Sequence, residues 1–323
     1  MAVGTGYNLF GYGGMIGPSS KVRVEAYAAA LRQAITPNES VVLEIGTGAG
    51  FFALLAVKFG ARHVYAIEPN EAMNIARELA AANNMTEQIT FIQKMSTNVT
   101  LPERADVMVS DIRGALPWLG EHIPSIVDAR ERLLVPGAVQ IPQQDTVWVA
   151  LVEAPNLYAP HVVPWDRNQY GLDLRAARQR VTNFHRKGAV KPEQLLVEPR
   201  CWATLDYQTI TSPHAKAKVG WTMDKASTAH GLSMWFDTLL FDQIGYSNAP
   251  TAPPIPIYSQ LFFPLSQPVR LSAGDVVTVT LQAHKVAPNY VWSWHSTITD
   301  SKESVKARFK QSSFLANGKV QLP

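Results

Sequence analysis

The sequence predicts a Rossmann-like α/β domain built on a doubly wound parallel sheet, followed by an antiparallel β domain, barrel or sandwich. Three observations carry this. Short apolar strands alternate with helical stretches over the first 141 residues. A glycine-rich run, EIGTGAG, stands directly between the first strand and the helix after it. After Pro142 the helical periodicity gives way to alternating, β-branched and aromatic segments punctuated by Gly, Pro, Ser and Asn.

In chain order, residues 20–35 (SKVRVEAYAAALRQAI) carry apolar residues at helical spacing and stop at Thr36-Pro37-Asn38. VVLEI (41–45) is a buried-strand run, and FFALLAVKFG after the glycines is an apolar helix. HVYAIE (63–68), ITFIQ (89–93) and DVMVS (106–110) are strands, with helices expected over 71–83 and 123–134. TVWVALVEA (146–154) alternates and opens the β domain, and a proline- and charge-marked stretch then runs to about Gln194. WATLDYQTI, LSMWFDTLLF, QLFFPL, DVVTVTLQAH and NYVWSWHST follow as strands. The domains expected are an N-terminal helical segment (1–40), a Rossmann-like domain (41–141) and a β domain (142–323).

Composition excludes several classes. Hydrophobic residues make up 46% and charged residues 17% of the 323, which suits a folded protein with a large core. A formal net charge of +3, with scattered Lys and Arg, disfavours nucleic acid as a partner. The single Cys201 can form no internal disulfide, excludes a thiolate metal site and reads as a small core residue; no metal is expected. The N-terminus MAVGTGYNLFGYGGMIG lacks the basic start of a signal peptide, and FFALLAV falls far short of the about 20 apolar residues that span a bilayer. No membrane association is expected, and a cytoplasmic location is.

Gly46, Gly48 and Gly50 let the chain turn tightly and approach a ligand with no Cβ in the way. A dinucleotide fingerprint would need a glycine where Phe51 stands, so that reading fails. Glu44 in the strand, alternate glycines and Glu68 closing the second strand resemble instead the first motifs of class I S-adenosylmethionine-dependent methyltransferases. That resemblance implies S-adenosyl-L-methionine as cofactor, with Glu68, 18 to 22 residues beyond the glycines, accepting both ribose hydroxyls.

Over nearly its whole length the sequence is similar to the protein arginine methyltransferases. YGGMIG followed by Arg23 and Tyr27 resembles that family's N-terminal helix, in which the Arg pairs with the cofactor carboxylate; Met15 here stands two residues further from it than is usual. SDIRG stands where the family has Ser-Glu-x-x-Gly, and ARERLLVPG with IPQQDTVWVALVEA resembles the entry to its C-terminal barrel. WDRNQYGLDL (165–174) resembles the start of a helical dimerisation arm, placed here at about 156–195, so the resemblance implies a β-barrel and a homodimer. The family's adenine-contacting acid falls near Thr97, which leaves adenine recognition to the backbone of Met95 and Ser96.

The acceptor side departs from the family. Two acids on one loop grip a guanidinium there and draw its charge onto the nitrogens that do not react. Asp111 takes the first place, one methylene shorter. A gapless register from Asp111 to Ala129 puts Gly120 at the second, and Glu121 stands there only if the loop shifts by one residue. His122 reads either as a helix-start surface residue or as a base. The family's Thr-His-Trp run falls on PIYSQLFF, with Ile257 at the His place and Tyr258 at the Trp place. The resemblance implies N-methylation of a guanidino group on a protein or small molecule. A different amine or hydroxyl acceptor, and a cofactor-binding pseudo-enzyme, stay open.

Overall fold

The computed structural model describes residues 9–167 and 170–316. The first eight residues of the segment bearing on a signal peptide, two residues of the arm and the last seven residues lie outside the described residues. The chain opens with helices α1 (Leu9–Ile16) and α2 (Lys21–Ala34), joined by a single 3-10 turn at Pro18–Ser20. α2 buries Arg23, Tyr27, Ala30 and Leu31, one helical stripe in which an arginine takes a place normally apolar.

Strands β1 (Val41–Ile45), β2 (His63–Ile67), β3 (Ile89–Ile92), β4 (Ala105–Ser110) and β5 (Leu134–Ile141) form one parallel sheet in the order β3-β2-β1-β4-β5. Helices α3 (Phe51–Lys58), α4 (Ala72–Ala82) and α5 (His122–Arg132) connect them, while β3 reaches β4 through a 3-10 turn at Ser96–Asn98. All five residues of β1 are buried, which explains its unbroken apolar run and makes Glu44 within it unusual. Strand order reverses between β1 and β4, so a crevice opens beyond their C-terminal ends.

β6 (Gln144–Val152) begins the second domain. The arm carries α6 (Pro155–Val162) and α7 (Arg175–Thr182), and β7 (Arg186–Lys187) returns from it. Then come β8 (Arg200–Asp206), β9 (Ala215–Thr222), β10 (Ser227–Phe241), β11 (Ile244–Ser247), β12 (Leu261–Leu271), β13 (Val276–Val286), β14 (Asn289–Thr299), β15 (Val305–Ser312) and the short α8 (Ser313–Ala316). They build two antiparallel sheets, β7-β12-β10-β6-β8 with β11 beside β10, and β15-β14-β13-β9, which together form a barrel-like domain. One apolar core runs through both domains, from Leu43 and Val107 to Phe236 and Trp294. Tyr246, Tyr258, Trp292 and Trp294 are buried in it, and Trp235 is buried apart from it.

Two sequence expectations change. β5, β7, β9, β11 and β15 were not predicted; of these, AKAKVGWT and VKARFKQS carry several Lys and Arg and are the two edges of their sheet. Outward Lys and Arg on an edge strand deter pairing with another chain, and the same charges hide the strand from an apolar-run search. Cys201 is exposed, not in the core, because Trp202 and Leu205 supply the inward side of β8. Among the described residues no helix is long and apolar enough to cross a membrane, and no cluster of three or more His, Cys, Asp or Glu could hold a metal.

Candidate active site

A cavity of about 460 Å³ lies at the C-terminal ends of β1, β2 and β4. Gly46, Gly48 and Gly50 all take positive φ, which favours glycine. A Cβ on Gly46 would come within 2.1 Å of Ile112 Cγ2, and one on Gly50 within 2.8 Å of Ala76 Cβ. Gly46 and Gly48 line the cavity; Gly50 lies behind it, at the start of α3 packed on α4. Glu68 lines it too, accepting the Gly48 amide at 3.1 Å and the Asn70 amide at 3.2 Å, so the acid and the loop fix each other. Burial pushes the Glu68 carboxyl up, against those two hydrogen bonds.

Glu44 is 3% exposed and takes the Thr47 hydroxyl hydrogen; burial pushes its carboxyl from the ordinary 4.5 up to about 8. A protonated carboxyl in a cavity wall is a site a cation would ionise. Beyond β3, Met95 and Ser96 line the cavity, and Arg132 on α5 steadies their turn with hydrogen bonds to the carbonyls of Val99 (2.9 Å) and Ser96 (3.2 Å).

Opposite stands the acid loop. Asp111 follows β4, and its Oδ2 receives the Arg23 guanidinium and, at 2.5 Å, the Tyr258 hydroxyl. Arg23 also donates to the Met15 carbonyl at 3.1 Å and to the Tyr258 oxygen at 3.0 Å. Burial alone would raise the Asp111 carboxyl, but Arg23 and Arg113 hold it below the usual carboxylate range. Arg23, expected to pair with the cofactor carboxylate, and Tyr258, at the family's Trp place, both grip Asp111 in the structure.

Arg113, two residues on, is a hub that the sequence reading missed. Its guanidinium is fully buried and joins Asp145 and Thr238 of the barrel, Tyr27 of α2 and Tyr246 of β11, with Phe236 4.8 Å beneath it. Through this one cation the acid loop, α2 and the barrel are tied together.

His122 begins α5 and is 1% exposed, so it is no surface residue. Its Nε2 lies 2.9 Å from the Tyr207 hydroxyl, which lies 2.6 Å from Asp145 Oδ2. Burial pushes the imidazole down to about 4 and leaves it neutral. Gly120 takes φ +49° with open space beside it, and Glu121 follows at the cavity rim, paired at 2.6 Å with Lys285 Nζ from the β13–β14 hairpin. Asp111, Glu121 and His122 all line the same cavity as Arg23, Glu44 and Glu68.

Comparison with known proteins matches this architecture in two parts. A family model of the arginine methyltransferase oligomerization subdomain matches residues 143–298, and one of the ribosomal protein L11 methyltransferase matches residues 26–151. A rice "Probable histone-arginine methyltransferase CARM1" is 33% identical over 281 residues, covering 82% of this chain and 53% of the relative. The Arabidopsis thaliana "Probable histone-arginine methyltransferase 1.4" is 32% identical, covering 80% and 51%. The chain thus spans about half the length of these curated relatives. Among solved structures, the Trypanosoma brucei PRMT1 enzyme–prozyme heterotetramer with AdoHcy superposes with a TM-score of 0.81 at 22% identity, covering 90% of this chain and 94% of that one. Arabidopsis thaliana protein arginine methyltransferase 10 gives 0.79 at 22%, covering 94% and 97%.

Proposed function

Because the chain is protein arginine methyltransferase-like and of class I in its cofactor half, we propose that it transfers a methyl group from S-adenosylmethionine to a guanidino nitrogen of an arginine-type acceptor. One observation carries this reading. The acids and imidazole of the 111–122 loop line the same cavity as the glycine loop, Glu68 and Arg23, so a cofactor site and a nucleophile site share one cavity.

The residues present fit the cofactor. Glu68 at a strand end suits paired ribose hydroxyls, Glu44 an ammonium, Arg23 a carboxylate, and the braced turn at Met95 and Ser96 an adenine. Bound there, the cofactor would supply a methyl group on a cationic sulfur, open to in-line attack. The chain's own acids then answer a charge problem. Two cations held about 4 Å apart repel by about 4 kcal/mol at an effective dielectric near 20. Asp111 keeps Oδ1 engaged only by a 3.3 Å contact to Arg113, which leaves it lone-pair capacity toward an acceptor N–H. Glu121 at the rim can take a second N–H by giving up Lys285.

A second reading has its own support. Within the chain Asp111 is already paired with two arginines and Glu121 with a lysine, so a neutral amine or hydroxyl acceptor would find the charges balanced. Methyl-labelled cofactor incubated with cell extract, followed by mass spectrometry, decides among the readings. Label on arginine supports the guanidino acceptor, label on another amine or hydroxyl supports the alternative, and no transfer leaves a cofactor-binding protein without the activity. The relatives named for histone arginine make protein arginine the first acceptor to try. The arm, with α6 and α7 at its core, would dock a second copy as a homodimer; a sedimentation mass of one 35.5 kDa chain with activity retained would refute that. A cytoplasmic location fits this reading.

A further inference from the structure

Resting on that nitrogen-acceptor reading, we infer that His122 recognises the acceptor directly. Its Nδ1 accepts a hydrogen bond from an acceptor N–H, and Tyr207 and Asp145 are positioning residues that fix the imidazole tautomer for this purpose.

The proton inventory leads there. The Asp145 carboxylate is held by the Arg113 guanidinium on one oxygen and by Tyr207 on the other. Burial pushes the Tyr207 hydroxyl well above its ordinary value, so it keeps its one proton. A carboxylate can only accept, so that proton points to Asp145 Oδ2 across 2.6 Å. The phenolic oxygen can then only accept from His122, across 2.9 Å, which places the imidazole hydrogen on Nε2. Nδ1 is left with its lone pair.

That lone pair has no partner. Nδ1 is buried and unpaired among the described residues. Several other buried side chains carry an unpaired polar atom, among them His185, Gln140 and Ser233, but of them all His122 is the one on the cavity wall. A buried acceptor left unmade is costly, and an acceptor group that displaces the cavity wall beside His122 would satisfy it. The complement of a neutral nitrogen lone pair is an N–H donor, which a guanidinium presents in a fixed planar fork. With Asp111 and Glu121 lining the same cavity, His122 would fix the plane of that fork while adding no charge. The other ionisable groups that act on the ring are Arg113 and Asp111, and neither approaches within hydrogen-bonding distance of Nδ1.

The test uses the full chain, an arginine–glycine peptide and free arginine as probes, and S-adenosylhomocysteine to fill the cofactor site. Nitrogen-15 spectra of the wild-type histidines should show His122 protonated at Nε2, with its Nδ1 resonance moving when the peptide is added. H122Q reaches the place of Nε2 and abandons Nδ1, whereas H122N keeps a carbonyl oxygen near the place of Nδ1. We expect H122Q and Y207F to raise the acceptor KM at least tenfold with cofactor affinity unchanged, and H122N to raise it less than threefold. A His122 protonated at Nδ1, an Nδ1 resonance indifferent to peptide, a wild-type KM in H122Q, or a parallel loss of cofactor affinity would each overturn the inference. The spectra decide it on wild-type protein should the variants not fold. An active wild type with an unaffected H122Q sinks this inference alone. A wild type that methylates neither probe sinks the guanidino reading and this inference with it.

Discussion

Arg23 on α2 and Asp111 at the end of β4 form a buried ion pair on the cavity wall, with Tyr258 hydrogen-bonded to both. The pair joins the two halves of the proposed chemistry, since one partner suits a cofactor carboxylate and the other an acceptor cation.

Replacing Asp111 by Asn therefore has two consequences. It leaves the Arg23 charge buried without its counter-ion, and breaking a buried pair from one side costs about 3 kcal/mol or more. It also deletes the acid expected to hold the acceptor. We expect D111N to melt at a lower temperature than wild type and to recover most of that difference with S-adenosylhomocysteine, whose carboxylate can take the vacated place. Turnover should fall by at least two orders of magnitude, about 3 kcal/mol of transition-state stabilisation. Thermal melts with and without ligand, beside steady-state rates, check both; near-normal rates would remove Asp111 from the acceptor site.

Glu68→Ala isolates the ribose site. The acid receives the Gly48 amide on Oε2 and both the backbone and side-chain amides of Asn70 on Oε1, so it would take two hydroxyls by releasing the Asn70 side chain. Loss of hydrogen bonds to a charged group is worth about 1.5–3 kcal/mol, a tenfold to hundredfold weaker cofactor. Calorimetry showing wild-type affinity would exclude Glu68 from the site.

Glu44 makes cofactor binding release protons. With its carboxyl at about 8 in the free protein, most of the molecules carry that proton at pH 7. An ammonium placed against it would draw the value down and expel the proton. Titrations at pH 7 in buffers of different ionisation enthalpy should show a release approaching one proton, absent in E44Q and vanishing above about pH 9. The same shift acts on stability. The folded chain keeps a proton that the unfolded chain loses above its ordinary 4.5, so between about 4.5 and 8 this residue's contribution falls as pH rises. E44Q should flatten that fall, and a pH profile of unfolding free energy identical to wild type would contradict it.

The parts of this site carried by local sequence were legible in advance. Gly46 and Gly48 need positive φ, and Glu68 follows a strand whose length is set by its apolar run, so their local pattern carried the family resemblance that pointed to them. The parts made by long-range contact were not. Arg113 sits two residues from Asp111 and looks like loop charge, yet its partners Asp145, Tyr27, Thr238 and Tyr246 lie 32 to 133 residues away. His122 read equally as a surface residue because its burial depends on Tyr207, 85 residues on. β9 and β15 were hidden for a related reason, their edge position being a fact of sheet order rather than of composition.

Lys285 supplies the last prediction, because it stands where an acceptor's positive charge would go. Its ammonium lies 2.6 Å from Glu121 Oε1 and 5.4 Å from the Tyr290 ring, on a hairpin that reaches from the barrel to the cavity rim. The Glu121 side chain is 38% exposed but the Lys285 side chain only 10%, so solvent screens the pair in part and its removal should cost about 1 kcal/mol of stability. For a cationic acceptor the lysine is a competitor: every bound guanidinium must take Glu121 from it. Lys285→Met keeps the chain's stem against Tyr290 and frees the acid. A cationic acceptor should then bind more tightly, with KM reduced severalfold, cofactor affinity unchanged and the remaining preference weakened by added salt. A neutral acceptor would gain nothing, and one carrying its own carboxylate would lose affinity with the lysine. Measured on whichever acceptor the labelling experiment identifies, K285M with an unchanged or higher KM would mean that Glu121 does not hold a cation, and that Asp111 works without a second acid.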